Sequence, residues 1–83
     1  QVPAVEWNCE QTDYGCNWTT PHSSWEICEI DPGTQDQRCD AINEDEDTGK
    51  SFITIDHAKR YVEIRIHLAT LERKLLAELA GGK

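Results

Sequence analysis

Apolar positions follow two regimes along the chain. From Val2 to Asp40 no apolar period is sustained, and this stretch holds Trp7, Trp18 and Trp25 together with turn-prone sites at Thr20-Pro21 and Asp31-Pro32-Gly33. It reads as loops with short strands. Beyond Phe52 the pattern becomes regular. Tyr61, Ile64, Leu68, Leu71, Leu75 and Leu79 recur at spacings of three and four, while Asp56, Lys59, Arg60, Glu63, His67, Thr70, Lys74 and Glu78 gather on the other side. That is the pattern of an amphipathic helix.

A second arrangement competes for the same residues. Phe52-Ile53-Thr54-Ile55 and the alternating Tyr61 to Leu68 would also make a β-hairpin over 52–68 followed by a short C-terminal helix. The bend at Asp56-His57-Ala58-Lys59-Arg60 has no Gly, Asn or Pro, whereas Asp56 is a fair helix N-cap. The pattern therefore favours one helix from Asp56 to Ala80, capped by Gly81-Gly82. It would be about 37 Å long at 1.5 Å per residue, more than so small a head can cover. Ala58, Val62, Ile66, Ala69 and Leu76 widen the apolar arc beyond a narrow coiled-coil seam, which predicts packing against both the head and another chain.

Between the two regimes, Glu44-Asp45-Glu46-Asp47 forms a charge run that solvates well and makes a natural junction. The expected organisation is an acidic head over 1–47 and a helical tail over 48–83, forming a single compact unit. With 83 residues and 37% hydrophobic content, any core is thin, and small domains of this kind are often stapled. Cys9, Cys16, Cys28 and Cys39 all fall in the head. Pairing Cys9 with Cys16 and Cys28 with Cys39 would close two short loops, each stabilising the fold by roughly 2.5 to 3 kcal/mol. The expected fold class is thus a small disulfide-rich α+β or mostly irregular head with a long C-terminal amphipathic α-helix. Disulfides in turn point to a secreted or periplasmic location. The start at Gln1-Val2-Pro3 reads as a processed N-terminus, and no apolar run approaches the ~20 residues of a membrane span.

Charge sharpens the division. Residues 1–47 carry twelve acids against Arg38 alone, giving −11, while 48–83 carry seven bases and four acids, giving +3. An acidic head repels phosphate backbones, which argues against direct nucleic-acid binding and for a protein partner with a basic surface.

Several constellations bear on chemistry. The cysteine gaps lack the close pairs of zinc or iron–sulfur sites, even with His22 replacing one sulfur. Asn43, Asp45, Asp47 and Gly49 partly match a calcium loop but lack its glycine and closing glutamate, so they are only weak metal candidates. Thr48-Gly49-Lys50-Ser51 resembles the end of a phosphate loop, yet Glu44 stands where the first glycine belongs. Ser23, Ser24 and His22 are adjacent in a loop, which does not hold a nucleophile against its base, and His57 and His67 read as surface residues. Asn17-Trp18-Thr19 is a glycosylation sequon. No cofactor is expected.

The strongest binding candidates are aromatic. Trp7, Tyr14, Trp18 and Trp25 stand among Glu6, Glu10, Asp13, Glu26 and Glu29, and aromatic faces beside carboxylates suit Lys and Arg. The competing reading makes the indoles the head's core. The expected partner-binding set is Trp7, Tyr14, Trp18, Trp25 and Glu26 on the head, with Leu68, Leu71, Leu75 and Leu79 on the tail. Three functions fit this pattern: a non-catalytic interaction module that binds a basic surface and docks or self-associates through its helix, a small accessory subunit of an extracytoplasmic enzyme complex, and an acidic inhibitor or DNA mimic with a cysteine-bound metal.

Overall fold

The computed structural model describes residues 2–81. It contains five strands, β1 (Asn8–Gln11), β2 (Gly15–Thr19), β3 (Trp25–Ile30), β4 (Arg38–Asn43) and β5 (Thr48–Phe52), followed by one helix, α1 (Ile55–Gly81). The strands form a single antiparallel meander in the order β1-β2-β3-β4-β5. Register fixes the two faces. Cys9, Trp18, Ile27, Ala41 and Lys50 lie in one cross-strand row, with Gln11, Cys16, Glu29, Cys39 and Phe52 in the next. Both rows point to the side that α1 covers. Glu10, Asn17, Cys28, Asp40 and Ser51 form a row on the opposite, uncovered face.

The core lies between the covered face and the first half of α1. Trp25, Ile27, Cys39 and Ala41 from the sheet meet Ala58 and Val62 from the helix, and all but Trp25 are fully buried. The small side chains at Ala41 and Ala58 leave room for the helix to sit low. Full burial of Ile27 and Val62 contributes roughly 1.5–3 kcal/mol each. Tyr61 closes one side, 5.8 Å edge-on from Trp25 and 5.2 Å from Phe52 between ring centroids.

This architecture overturns the disulfide-rich, mostly irregular head. The head is a regular sheet, and its four cysteines are free thiols. Cys28 and Cys39 sit on neighbouring strands but on opposite faces of the sheet, because Cys28 is opposite Asp40 and Cys39 is opposite Glu29. A bridge between them would have to pass through the backbone. The α+β element order, antiparallel strands and then a C-terminal helix, does fit. The strands lie early in the chain and end at Phe52, and residues 55–68 are the first half of α1.

The turns explain why the strands were hidden. The β1–β2 turn has Asp13-Tyr14 at its centre and is held by Thr12, whose Oγ1 accepts the Tyr14 and Gly15 N–H groups at 3.2 and 3.1 Å. The acidic run 44–47, expected as a head–tail junction, is the β4–β5 turn. Asp47 there adopts φ 53°, and Asn43 Oδ1 accepts the Glu46 N–H at 3.2 Å. Four carboxylates suit a tight exposed turn because none is buried by it. Pro21 and Pro32 fall in the loops flanking β3 and interrupt no strand.

Two further features differ from expectation. The helix N-cap is Thr54, not Asp56: its Oγ1 accepts the His57 N–H at 3.3 Å and its carbonyl accepts the Ala58 N–H at 3.2 Å. Asp56 instead lies in the first turn, where its charge favours the positive end of the helix. Helical geometry runs through Gly81, and the Gly82 part of the expected cap lies outside the described residues. No helix among these residues is long and apolar enough to cross a membrane.

Gly15 is required by packing. A Cβ on it would collide with the Glu29 carbonyl of β3 and come 3.1 Å from Pro32 Cδ. Gly15→Ala should therefore lower unfolding free energy by about 1–3 kcal/mol in urea titrations. Thr54→Ala should cost about 1 kcal/mol by loss of the cap, with the sheet signal unchanged at low denaturant. An unaltered midpoint for either variant would contradict the corresponding role.

Candidate functional site

The predicted aromatic set divides between the interior and the surface. Trp25 is core, 5% exposed. Trp18 donates its indole N–H to Glu29 Oε1 at 3.0 Å, and Lys59 Nζ of α1 lies 3.6 Å from its ring centroid. Trp7 donates its indole N–H to Glu63 Oε2 at 3.2 Å, and the Val5 N–H reaches the same oxygen at 3.5 Å. Arg60 Nη1 completes this cluster 3.6 Å from Glu63 Oε1. Trp18 and Trp25 thus join the sheet to the helix, and Trp7 fastens the N-terminal segment to it. Tyr14, at the β1–β2 turn, is 71% exposed.

The pairing of aromatic face, carboxylate and cation expected for a partner is therefore already realised within the chain. Lys59 occupies Trp18 as a basic ligand would, worth about 0.5–1 kcal/mol at a partly exposed site. Sequence reasoning set Trp18 among carboxylates that included Glu29, and Lys59 and Glu63 on the polar side of the helix, but did not bring these residues together. Lys59 and Glu63 are four apart on the helix, which signals that both belong to one face, but nothing local identifies the sheet residues they meet.

The uncovered face of the sheet is a separate surface. Glu10, Asn17, Glu26, Cys28 and Ile30 line a shallow hollow of about 360 Å³, with Tyr14 at its rim. Asp40 stands on the same face and is engaged locally, bridged by Arg38 Nε at 3.1 Å and hydrogen-bonded by Ser51 Oγ at 2.7 Å. Glu10 and Glu26 have no cationic partner among the described residues. The resulting field is felt by Cys28: burial, then Glu26 and Asp40, push its thiol above the ordinary value of 9.0.

The tail residues Leu68, Leu71, Leu75 and Leu79 are all exposed, from 47% at Leu71 to 70% at Leu79. They share no surface with the hollow, since α1 packs on the other side of the sheet.

The remaining candidates do not converge. Cys39 is buried under the helix, Cys28 is on the open face, and Cys9 and Cys16 lie near the β1 edge, where a hydrogen bond between their thiols is the main cause raising Cys16. Among the described residues, no three His, Cys, Asp or Glu side chains are grouped to hold a metal ion. Of the weak metal candidates, Asn43 serves the β4–β5 turn, Asp45 accepts the Ser24 hydroxyl, and Asp47 shapes the bend. Ser23 Oγ accepts the Trp25 N–H at 3.0 Å, and His22 takes φ 62° in the same loop, so both build the turn into β3.

Raised thiol pKa values make folding proton-linked. Cys28 and Cys39 hold their protons more tightly when folded, so that stabilisation is complete below pH 9.0 and is lost as pH rises through the folded values. Alkylation of native Cys28, followed by peptide mass spectrometry, should have its midpoint above pH 9.0, and Glu26→Gln/Asp40→Asn should move that midpoint down. Buried Cys39 should label last. A midpoint at or below 9.0 would remove the proposed acidic field.

Comparison with known proteins found no matching family model, no matching curated protein and no matching solved structure, so function is argued from this chain's own surfaces.

Proposed function

We propose that this chain is a protein-interaction module with two independent docking surfaces: the acidic open face of the sheet, which receives a basic segment, and the outer face of α1, which docks on another helix. The observation that carries the first is the hollow itself, where Glu10 and Glu26 flank Cys28 and Ile30 beneath the exposed Tyr14 ring. A Lys or Arg stem can lie along the apolar floor while its charge meets a carboxylate. The Lys59–Trp18 contact supports this chemistry, since the head already holds one basic side chain of its own tail.

Accessory-subunit function is a second reading, favoured by the length of helix left uncovered. The expected secreted or periplasmic location rested on paired cysteines and takes no support from four free thiols. A metal-bound inhibitor likewise takes no support from cysteines on both faces of the sheet.

A fluorescent Lys/Arg-rich peptide should bind saturably with one-to-one stoichiometry, more weakly at higher salt. Glu10→Gln/Glu26→Gln should weaken binding at least about fivefold by anisotropy, whereas Asp36→Asn/Glu44→Gln, with the same change in net charge, should have little effect. Equal losses in the two variants would show that only net charge is being sensed and would defeat the site.

A further inference from the structure

Apart from Tyr61, which packs against Trp25 and Phe52, the apolar stripe of α1 lies on the side of the helix turned away from the sheet. Leu71 follows the fully buried Val62 by nine residues, so at about 100° per residue the two point in opposite directions. Ile64, Leu68 and Leu75 lie within about 60° of Leu71 by the same geometry. The helix spans 27 residues, yet its buried side chains, Ala58 and Val62, all lie in its first third. The molecule is accordingly elongated, 56 × 21 × 21 Å. The stripe therefore runs unobstructed past the sheet and beyond it.

We propose that this face is covered by a second copy of the chain, whose α1 lies antiparallel to the first. This rests on the reading of α1 as a docking helix and names its partner. Ile64, Leu68, Leu71 and Leu75 have the alternating four-three-four spacing of a two-stranded seam. Set antiparallel about a two-fold axis between residues 69 and 70, they close four layers: Ile64 on the second copy's Leu75, Leu68 on its Leu71, and the two reciprocal contacts.

Charge selects both the occupant and the direction. In this register Arg65 of each copy faces Glu72 of the other, and Arg60 comes within reach of Glu78 of the other, so each opposite-charge contact occurs twice by symmetry. The two heads, each with twelve acids against one base, then stand at opposite ends of the pair. A parallel, in-register pair would place Arg60 opposite Arg65 and hold the two acidic heads side by side. Arg65 is available for the antiparallel contact, since its bond to Glu46 is long, 3.5 Å, and both side chains are more than 40% exposed. A seam of four layers falls at the small end of specific interfaces, below about 1,200 Å², so the dimer should be reversible with a dissociation constant on the order of 10 µM.

Sedimentation equilibrium of the full chain between about 1 and 500 µM, a range bracketing that constant, should show a monomer–dimer equilibrium. Leu71→Glu should weaken it at least about 30-fold. Because Leu71 does not face the sheet, the circular dichroism of the monomer should be retained. Arg65→Glu and Glu72→Arg should each weaken association, and the double variant Arg65→Glu/Glu72→Arg should restore it, because only the antiparallel register brings these positions together. A monomer throughout the concentration range, a dimer indifferent to Leu71→Glu, or a failure of the double variant to rescue would each overturn the proposal. Peptide binding by the Leu71→Glu monomer separates the two readings: its retention leaves the acidic face intact whatever the oligomer does, and its loss in a folded monomer would count against that face alone.

Discussion

A five-stranded meander has two faces, and among the described residues one further element, α1, is left to cover either. The contact between the first turns of α1 and the β3–β4 centre of the sheet is therefore the interaction on which the rest depends. It is made by Ile27 and Ala41 from the sheet and Ala58 and Val62 from the helix, all fully buried. Aromatic side chains then seal the margins, with Tyr61 against Trp25 and Phe52. Without this contact the sheet would expose an apolar face and the helix would have only its own propensity, which is marginal in water.

Charge reinforces the same contact. The acidic half of the chain is folded against the basic half, and Lys59 on Trp18 and Arg65 near Glu46 both join them. Glu63 reverses the roles, reaching from the helix to hold the Trp7 indole and the Val5 backbone. Each exposed contact is weak singly, and the cluster's effect is to fix the N-terminal segment on the helix rather than to supply much stability. The tryptophans are thus fasteners between layers, with a polar partner for each half-buried indole.

Because α1 covers one face of the sheet with one face of itself, two surfaces remain: the outer sheet face and the outer helix face. They differ in chemistry, one carboxylate-lined and the other leucine-rich, and they point away from each other. The two surfaces do not overlap, because the helix separates one from the other.

The helix was legible because its pattern is local. Three-and-four spacing over two dozen residues fixed its extent to within one residue at each end, Asp56–Ala80 against Ile55–Gly81. The sheet was not, because its covered face mixes Trp18, Glu29, Cys39 and Lys50 with apolar residues, and its turns at 12–15 and 44–47 carry no Asn-Gly or Gly-Gly signal. Period-two alternation disappears when polar side chains on the inner face are satisfied by partners far away in sequence, as Glu29 is by Trp18. Cysteine content likewise counted residues but not faces. The sequence by itself determined the acidic and basic halves, the helix and its leucine stripe, because these depend on composition and on neighbours within two turns. Only the tertiary structure decided that Cys28 and Cys39 stand on opposite faces of the sheet, that the tryptophans are held by Glu29, Glu63 and Lys59, and which side of the helix is left bare. Each of these depends on strand register and helix placement, which residues distant in sequence set together.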